Sequence, residues 1–192
     1  MKRIIAIIVF IYSLVSLSAQ DISEAVTTMP ADIVMGLDAG MKDILLSRPD
    51  DTLQVEVERE VPGSVTRLAM TPDFIHFKTS DAGTTQIKLL PLINDSKIIC
   101  VVKTVCGGVC DSRIAFYTTK WTPIAEGNLF QAVTREQFVK ADADRNSQDF
   151  KNAYAALDMD PIKMALSPDK LSLTIEYDVK GYLPEEDYKK IE

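Results

Sequence analysis

Histidine is almost missing from this 192-residue chain. There is one, His76, alongside a single Trp and three cysteines. One histidine excludes metal sites built from several imidazoles. In a strand beside Phe74 and Phe77 it reads as a core-edge or surface residue rather than a triad base. Three cysteines allow at most one disulfide, with one thiol left over. Basic clusters are also missing. The 21 Lys and Arg against 28 Asp and Glu leave a net charge of −7, which argues against nucleic acid and against anionic membranes as partners. No Gly-rich phosphate loop occurs, and no cofactor or metal is expected. Beyond the N-terminus, no apolar run approaches the ~20 residues that span a bilayer.

The N-terminus itself is distinctive. Met1-Lys2-Arg3 precedes the run IIAIIVFIYSLVSLSA, a basic, apolar and small-residue order that predicts a secretory signal peptide over residues 1–19. Cleavage after Ala19 would leave residues 20–192 as a single α+β domain, periplasmic or secreted, with no stable membrane insertion.

The densest β-branched and aromatic stretch is KIICVVKTVCGGVCDSRIAFYTTKWTPI, residues 97–124. It predicts a long hairpin with strands 97–106 and 109–120 around Gly107-Gly108. Pairing Cys106 with Cys110 puts Ile98, Cys100, Val102, Ile114 and Phe116 on one face. Lys103, Asp111 and Arg113 then share the other, where Asp111 can bridge the two cations. A one-residue slip mixes the faces, so the first register is preferred. It makes Cys106 and Cys110 a candidate disulfide and Cys100 a buried thiol. Three residues separate Cys106 from Cys110, not the two of a redox-active pair, and no helix N-terminus follows to activate a thiol.

Upstream, Thr28-Met29-Pro30 and the spacing of Ile33, Leu37, Met41, Ile44 and Leu45 predict a helix over 30–47. Short strands follow near 53–58, 65–70, 74–79 and 84–90, so the hairpin completes a six-strand antiparallel meander. Downstream, Thr134 and Gln137 form a capping box for a helix reaching Ala141. Ser147 caps another helix, residues 171–177 alternate as a seventh strand, and Pro184 opens a terminal helix. Residues 66–78 align without gaps on residues 162–174, sharing Ala, Pro and Asp. An internal duplication or two ordinary Pro-Asp turns would each give that match.

Other motifs are weaker. Asp142, Asp144 and Asn146 begin like a calcium loop, but Ser147 stands where the turn wants Gly and Ala153 where a bidentate Glu is needed. Asn94-Asp95-Ser96 fits the glycosylation pattern. No spacing marks a catalytic carboxylate pair, so no catalytic, cofactor-binding or metal-binding residue is named.

The runs LLPLINDSKIICVVKTVCGGVCDSRIAFYTTKWTPI (89–124), DMDPIKMALSPDKLSLTIEY (158–177) and TTMPADIV (27–34) resemble a domain-of-unknown-function family of exported proteins from gut anaerobic bacteria. The resemblance covers essentially residues 20–192. It implies export and no assigned activity, so no catalytic residue carries over. The fold expected is α+β, with helices packed on one face of a curved antiparallel meander of six to seven strands. The function expected is a non-enzymatic binding or interaction module, with an inhibitor-like role among its readings, for an unidentified protein or small-molecule ligand. A hydrolase using unmarked carboxylates is the alternative.

Overall fold

The computed structural model describes residues 21–47, 54–59, 62–157, 159–180 and 184–191. The expected signal peptide lies outside the described residues. Seven strands lie side by side in chain order, every neighbour antiparallel: β1 (Val55–Glu58), β2 (Ser64–Thr71), β3 (Phe74–Lys78), β4 (Gly83–Pro91), β5 (Lys97–Cys106), β6 (Cys110–Thr118) and the two-residue β7 (Pro123–Ile124). The β5–β6 register is the preferred one, with Val102 opposite Ile114 and Cys106 opposite Cys110. The fold is α+β, and the meander is its frame.

Side-chain alternation divides the sheet into two faces. Ile75, Phe77, Ile87, Leu89, Ile99 and Val101 pack beneath α1 (Ile22–Thr27) and α2 (Ala39–Leu46). Of the helix expected over 30–47 only α2 forms; residues 30–38 are irregular chain, and α1 lies upstream of the expected start. Asp21 caps α1 by accepting from Glu24 N–H at 3.0 Å, and Asp38 caps α2 by accepting from Met41 N–H at 2.7 Å. Thr28 ends α1 instead of opening a helix. Gly36 sits at φ +77°, a left-handed geometry that an α-helix cannot contain. Ile33 and Leu37 are buried from this turn, so their helix-like spacing reported burial without helix.

Three buried polar side chains pin this layer. Lys42 donates to the Met29 carbonyl at 2.6 Å, and burial lowers its pKa. Trp121 donates from Nε1 to the Ala25 carbonyl at 3.0 Å. Fully buried Arg67 reaches the Leu45 carbonyl at 2.8 Å.

On the opposite face Ile98, Cys100, Val102, Ile114 and Phe116 meet Ile162, Met164 and Leu166. Those three belong to β8 (Ile162–Leu166), which pairs with β9 (Leu173–Tyr177) in a separate two-stranded sheet. The strand expected at 171–177 thus does not extend the meander. It forms a hairpin with β8, whose alternating apolar residues need the main sheet to cover them. Three β8 amides, at Ile162, Met164 and Leu166, donate to Asp111 Oδ1, Ser112 Oγ and Gln86 Oε1 at 3.2, 2.9 and 2.7 Å. Polar side chains of one sheet thereby satisfy the edge of another. Asp111 is used here, while Lys103 donates to the Asp32 carbonyl at 3.1 Å.

The two segments matched at 66–78 and 162–174 both form antiparallel hairpins. Thr71 pairs with Phe74 around a two-residue turn, whereas Leu166 pairs with Leu173 around six residues. The helix expected from Thr134 to Ala141 is a single 3₁₀ turn, Arg135–Gln137, in which Gln137 accepts from Thr134 N–H at 2.8 Å. The helices α3 (Gln148–Ala155) and α4 (Glu185–Ile191) close the end of the second layer, with Ser147 capping α3 as its position predicts. Among the described residues no helix is long and apolar enough to cross a membrane.

Candidate functional site

A concavity runs along β6. Hydrogen-bond parity shows why it is open. Cys106 N–H donates to the Ala82 carbonyl at 2.8 Å, so even-numbered residues of β5 point their backbone groups toward β4, and odd-numbered ones toward β6. Through the β5–β6 register, even-numbered residues of β6 must then point away from the sheet. They do. Cys110 N–H donates outward to Asp178 Oδ2 at 2.6 Å, and Thr118 N–H donates to the Thr122 carbonyl at 2.9 Å. β7 pairs with Phe116 and Tyr117 and then departs. Between these anchors, among the described residues, no strand pairs with the outer edge at Ser112 and Ile114.

Residues 126–133 arch beside that edge and create two hollows that share Ile114 and Phe130. The larger, about 490 Å³, lies along the strand edge with Asp111, Arg113, Glu126, Gly127 and Met164 on its walls. The smaller, about 180 Å³, lies over the sheet face and is lined by Leu90, Cys100, Phe116, Leu129, Leu171 and Leu173. One end of the cleft is therefore apolar, and the other is a backbone edge with a charged rim.

The ionisable groups beside the apolar hollow are engaged or inert. Lys88 is buried, its Nζ 3.0 Å from Asp73 Oδ2 and 3.0 Å from the Pro168 carbonyl, and 5.7 Å from the centre of the Phe74 ring. Burial pushes the Cys100 thiol up to about 12, so no useful thiolate exists at neutral pH.

Other residues singled out by sequence lie away from the cleft's lining. The Cys106 and Cys110 sulfurs are 2.06 Å apart, with Cα atoms 4.0 Å apart, at the hairpin tip. His76 lies on the same sheet face as Phe74, with ring centres 6.4 Å apart. In the calcium-like loop Asp144 accepts from Asn146 N–H, and its carbonyl accepts from Ser147. Asn94 accepts from the Ser96 hydroxyl at 2.6 Å within its own turn.

A second polar cluster escaped sequence reasoning. Arg135 Nε donates to Asp160 Oδ1 at 2.6 Å, and the Tyr177 hydroxyl donates to the same oxygen at 3.1 Å. Glu136 accepts from the Tyr154 hydroxyl and from Arg145 at 2.7 Å. Burial, then the Asp160 hydrogen bond, pushes the Tyr177 hydroxyl up to about 12. The Tyr154 and Arg145 donors hold Glu136 below the usual carboxylate range. Each acid already has its donors, and the cluster staples the 3₁₀ turn, α3 and β9 together. Its members are spread over residues 135–177, with no spacing that would announce them.

Fold and cleft together define an α+β protein in which a meander and a β-ribbon enclose an open strand edge. The chain belongs to the family described as Protein of unknown function (DUF3256), whose model matches residues 14–192. It is also similar to the solved structure of a domain of an uncharacterized protein from Porphyromonas gingivalis W83. The two share 29% identity and a TM-score of 0.78, over 88% of this chain and 86% of that one. No curated protein matches.

Proposed function

We propose that this protein is an exported, non-enzymatic binding module whose ligand lies in the cleft along β6. The observation that carries the reading is the joining of an apolar hollow to an open strand edge at Ile114 and Phe130. Ligand sites combine apolar walls with a few convergent polar groups in this way. The chemistry at hand supports binding over turnover. Lys88 is held by Asp73, Asp111 accepts from Ile162, and the Cys100 thiol is protonated. Export is supported by the basic, apolar and small-residue order of residues 1–19. N-terminal sequencing of protein from its native cell should begin at Gln20.

Gly127 provides the test of the cleft. A Cβ added there meets nothing within 4 Å, so Gly127→Leu should fill the larger hollow without disturbing the core. Partners recovered from an envelope extract by the mature protein should be lost with Gly127→Leu, while the two proteins melt alike. Identical recovery by both would remove the cleft as the binding surface. Hydrolysis of an envelope substrate that Asp111→Asn or Glu126→Gln abolishes would replace binding with catalysis.

A further inference from the structure

We infer that the larger hollow accepts an extended peptide as an added strand on the outer edge of β6, with apolar residues flanking an acidic one. The inference rests on the binding-module reading and names the ligand class for the same cleft. Ser112 and Ile114 each direct a backbone N–H and C=O outward, two residues apart, which is the repeat an added strand reads. The lane is bounded at one end by β7 on Phe116 and at the other by Asp178 on the Cys110 amide. It therefore suits a segment of about three residues, roughly 10 Å of strand.

The side chains beside the lane decide the sequence of the occupant. An added residue opposite Ile114 would lie on the face of Ile114, Phe130 and Met164, and so would one opposite Ser112. Both should be apolar. The residue between them would emerge on the other face, beside Arg113. Arg113 is exposed and stands directly opposite Lys103 in the β5–β6 pair, two like charges side by side. Among the described residues no ion pair or hydrogen bond engages the Arg113 guanidinium. Lys103 donates to a neutral carbonyl, and among the described residues no carboxylate forms an ion pair with either cation, although Asp111 and Glu126 line the same hollow. A carboxylate on the middle residue would compensate the pair's charge, giving apolar–acidic–apolar as the complementary pattern.

The probe is a blocked pentapeptide, acetyl-Thr-Val-Glu-Val-Thr-amide, added to the ¹⁵N-labelled mature protein. The Ser112 and Ile114 amides should shift and become protected from hydrogen exchange as the peptide saturates. N-methylating the two Val amides should weaken binding by about tenfold or more, since each lost hydrogen bond is worth roughly a factor of ten. Arg113→Glu should reverse the preference toward the peptide with Lys in place of Glu. Unmoved Ser112 and Ile114 amides, or equal binding of the N-methylated peptide, overturns strand addition. Shifts confined to Leu129 and Leu171 with an apolar small molecule would do the same and leave the cleft as a binding site. Protection of both amides that grows with protein concentration and without peptide would assign the edge to a second copy of this chain and overturn the inference.

Discussion

Two cations are buried in the sheet, one per face, and they do similar jobs with different neighbours. Arg67, fully buried, reaches the Leu45 carbonyl and ties α2 to the helical face. Lys88, equally hidden, reaches the Pro168 carbonyl and ties the β8–β9 turn to the cleft face. Each attaches an outer layer through a backbone oxygen. The difference lies in what surrounds the tether. Arg67 belongs to a continuous apolar core shared by the sheet and both N-terminal helices. Lys88 has a carboxylate partner, Asp73, that keeps 41% of its side chain exposed, and it borders a hollow. Around Arg67 the helical face is continuously packed, whereas around Lys88 the cleft face is fastened at points and left open between them.

That contrast predicts unequal costs. Arg67→Ala should destabilise by about 2–4 kcal/mol, because it leaves a buried carbonyl unpaired and a cavity that nothing can fill. Lys88→Ala should cost less, about 1–2 kcal/mol, since water can reach Asp73 and the adjoining hollow. Urea melts of the two variants decide the matter. Equal losses, or the reverse order, would mean that the cleft face is packed as tightly as the helical one.

The cysteines sharpen the comparison on a smaller scale. Cys100 is buried among Val102, Ile114 and Phe116, while Cys106 and Cys110 close a ring at the exposed tip. In the chain-entropy model a ring this short stabilises by less than the ~3 kcal/mol of a 15-residue loop. Replacing both Cys106 and Cys110 with Ser should therefore lower the melting temperature only modestly. Cys100→Ser places a hydroxyl in an apolar layer and should cost about 1–3 kcal/mol. Oxidised wild type should give one thiol on denaturation and almost none when native, because burial holds the Cys100 proton up to about 12. Three thiols would show that the tip is reduced.

What the sequence revealed follows the same division. Strands β2 to β6 were legible because period-two alternation and turn residues act locally, and the Gly107-Gly108 turn fixes the longest pair. The break at Gly36 was harder to see, since Ile33 and Leu37 are buried at a helical interval without lying in a helix. β8 was missed because Ile162, Met164 and Leu166 acquire their meaning only from the sheet beneath them. The cleft was least legible of all. It exists because β7 stops after two residues and residues 126–133 turn aside, events of topology that no local pattern near Ser112 or Ile114 records. Nothing in the sequence around Arg67 or Lys88 announces the layers that bury them.

The smallest expected effect concerns His76, and its sign is set by burial. Its Nε2 is buried and, among the described residues, has no hydrogen-bond partner, and desolvation lowers its pKa below the ordinary 6.5. The unfolded chain therefore takes up this proton near pH 6.5, and the folded chain only at lower pH. As pH falls through that window, the unfolded state binds more protons and stability declines, becoming level again once the folded pKa is passed. Because the chain has only one histidine, the slope of stability between about pH 7.5 and about pH 5.5 should come mostly from this side chain. His76→Gln, neutral throughout, should flatten that slope while leaving stability near pH 7.5 little changed. Urea midpoints across the range test it: a variant that declines as steeply as wild type would place the pH sensitivity in the carboxylates and leave His76 without a part in it.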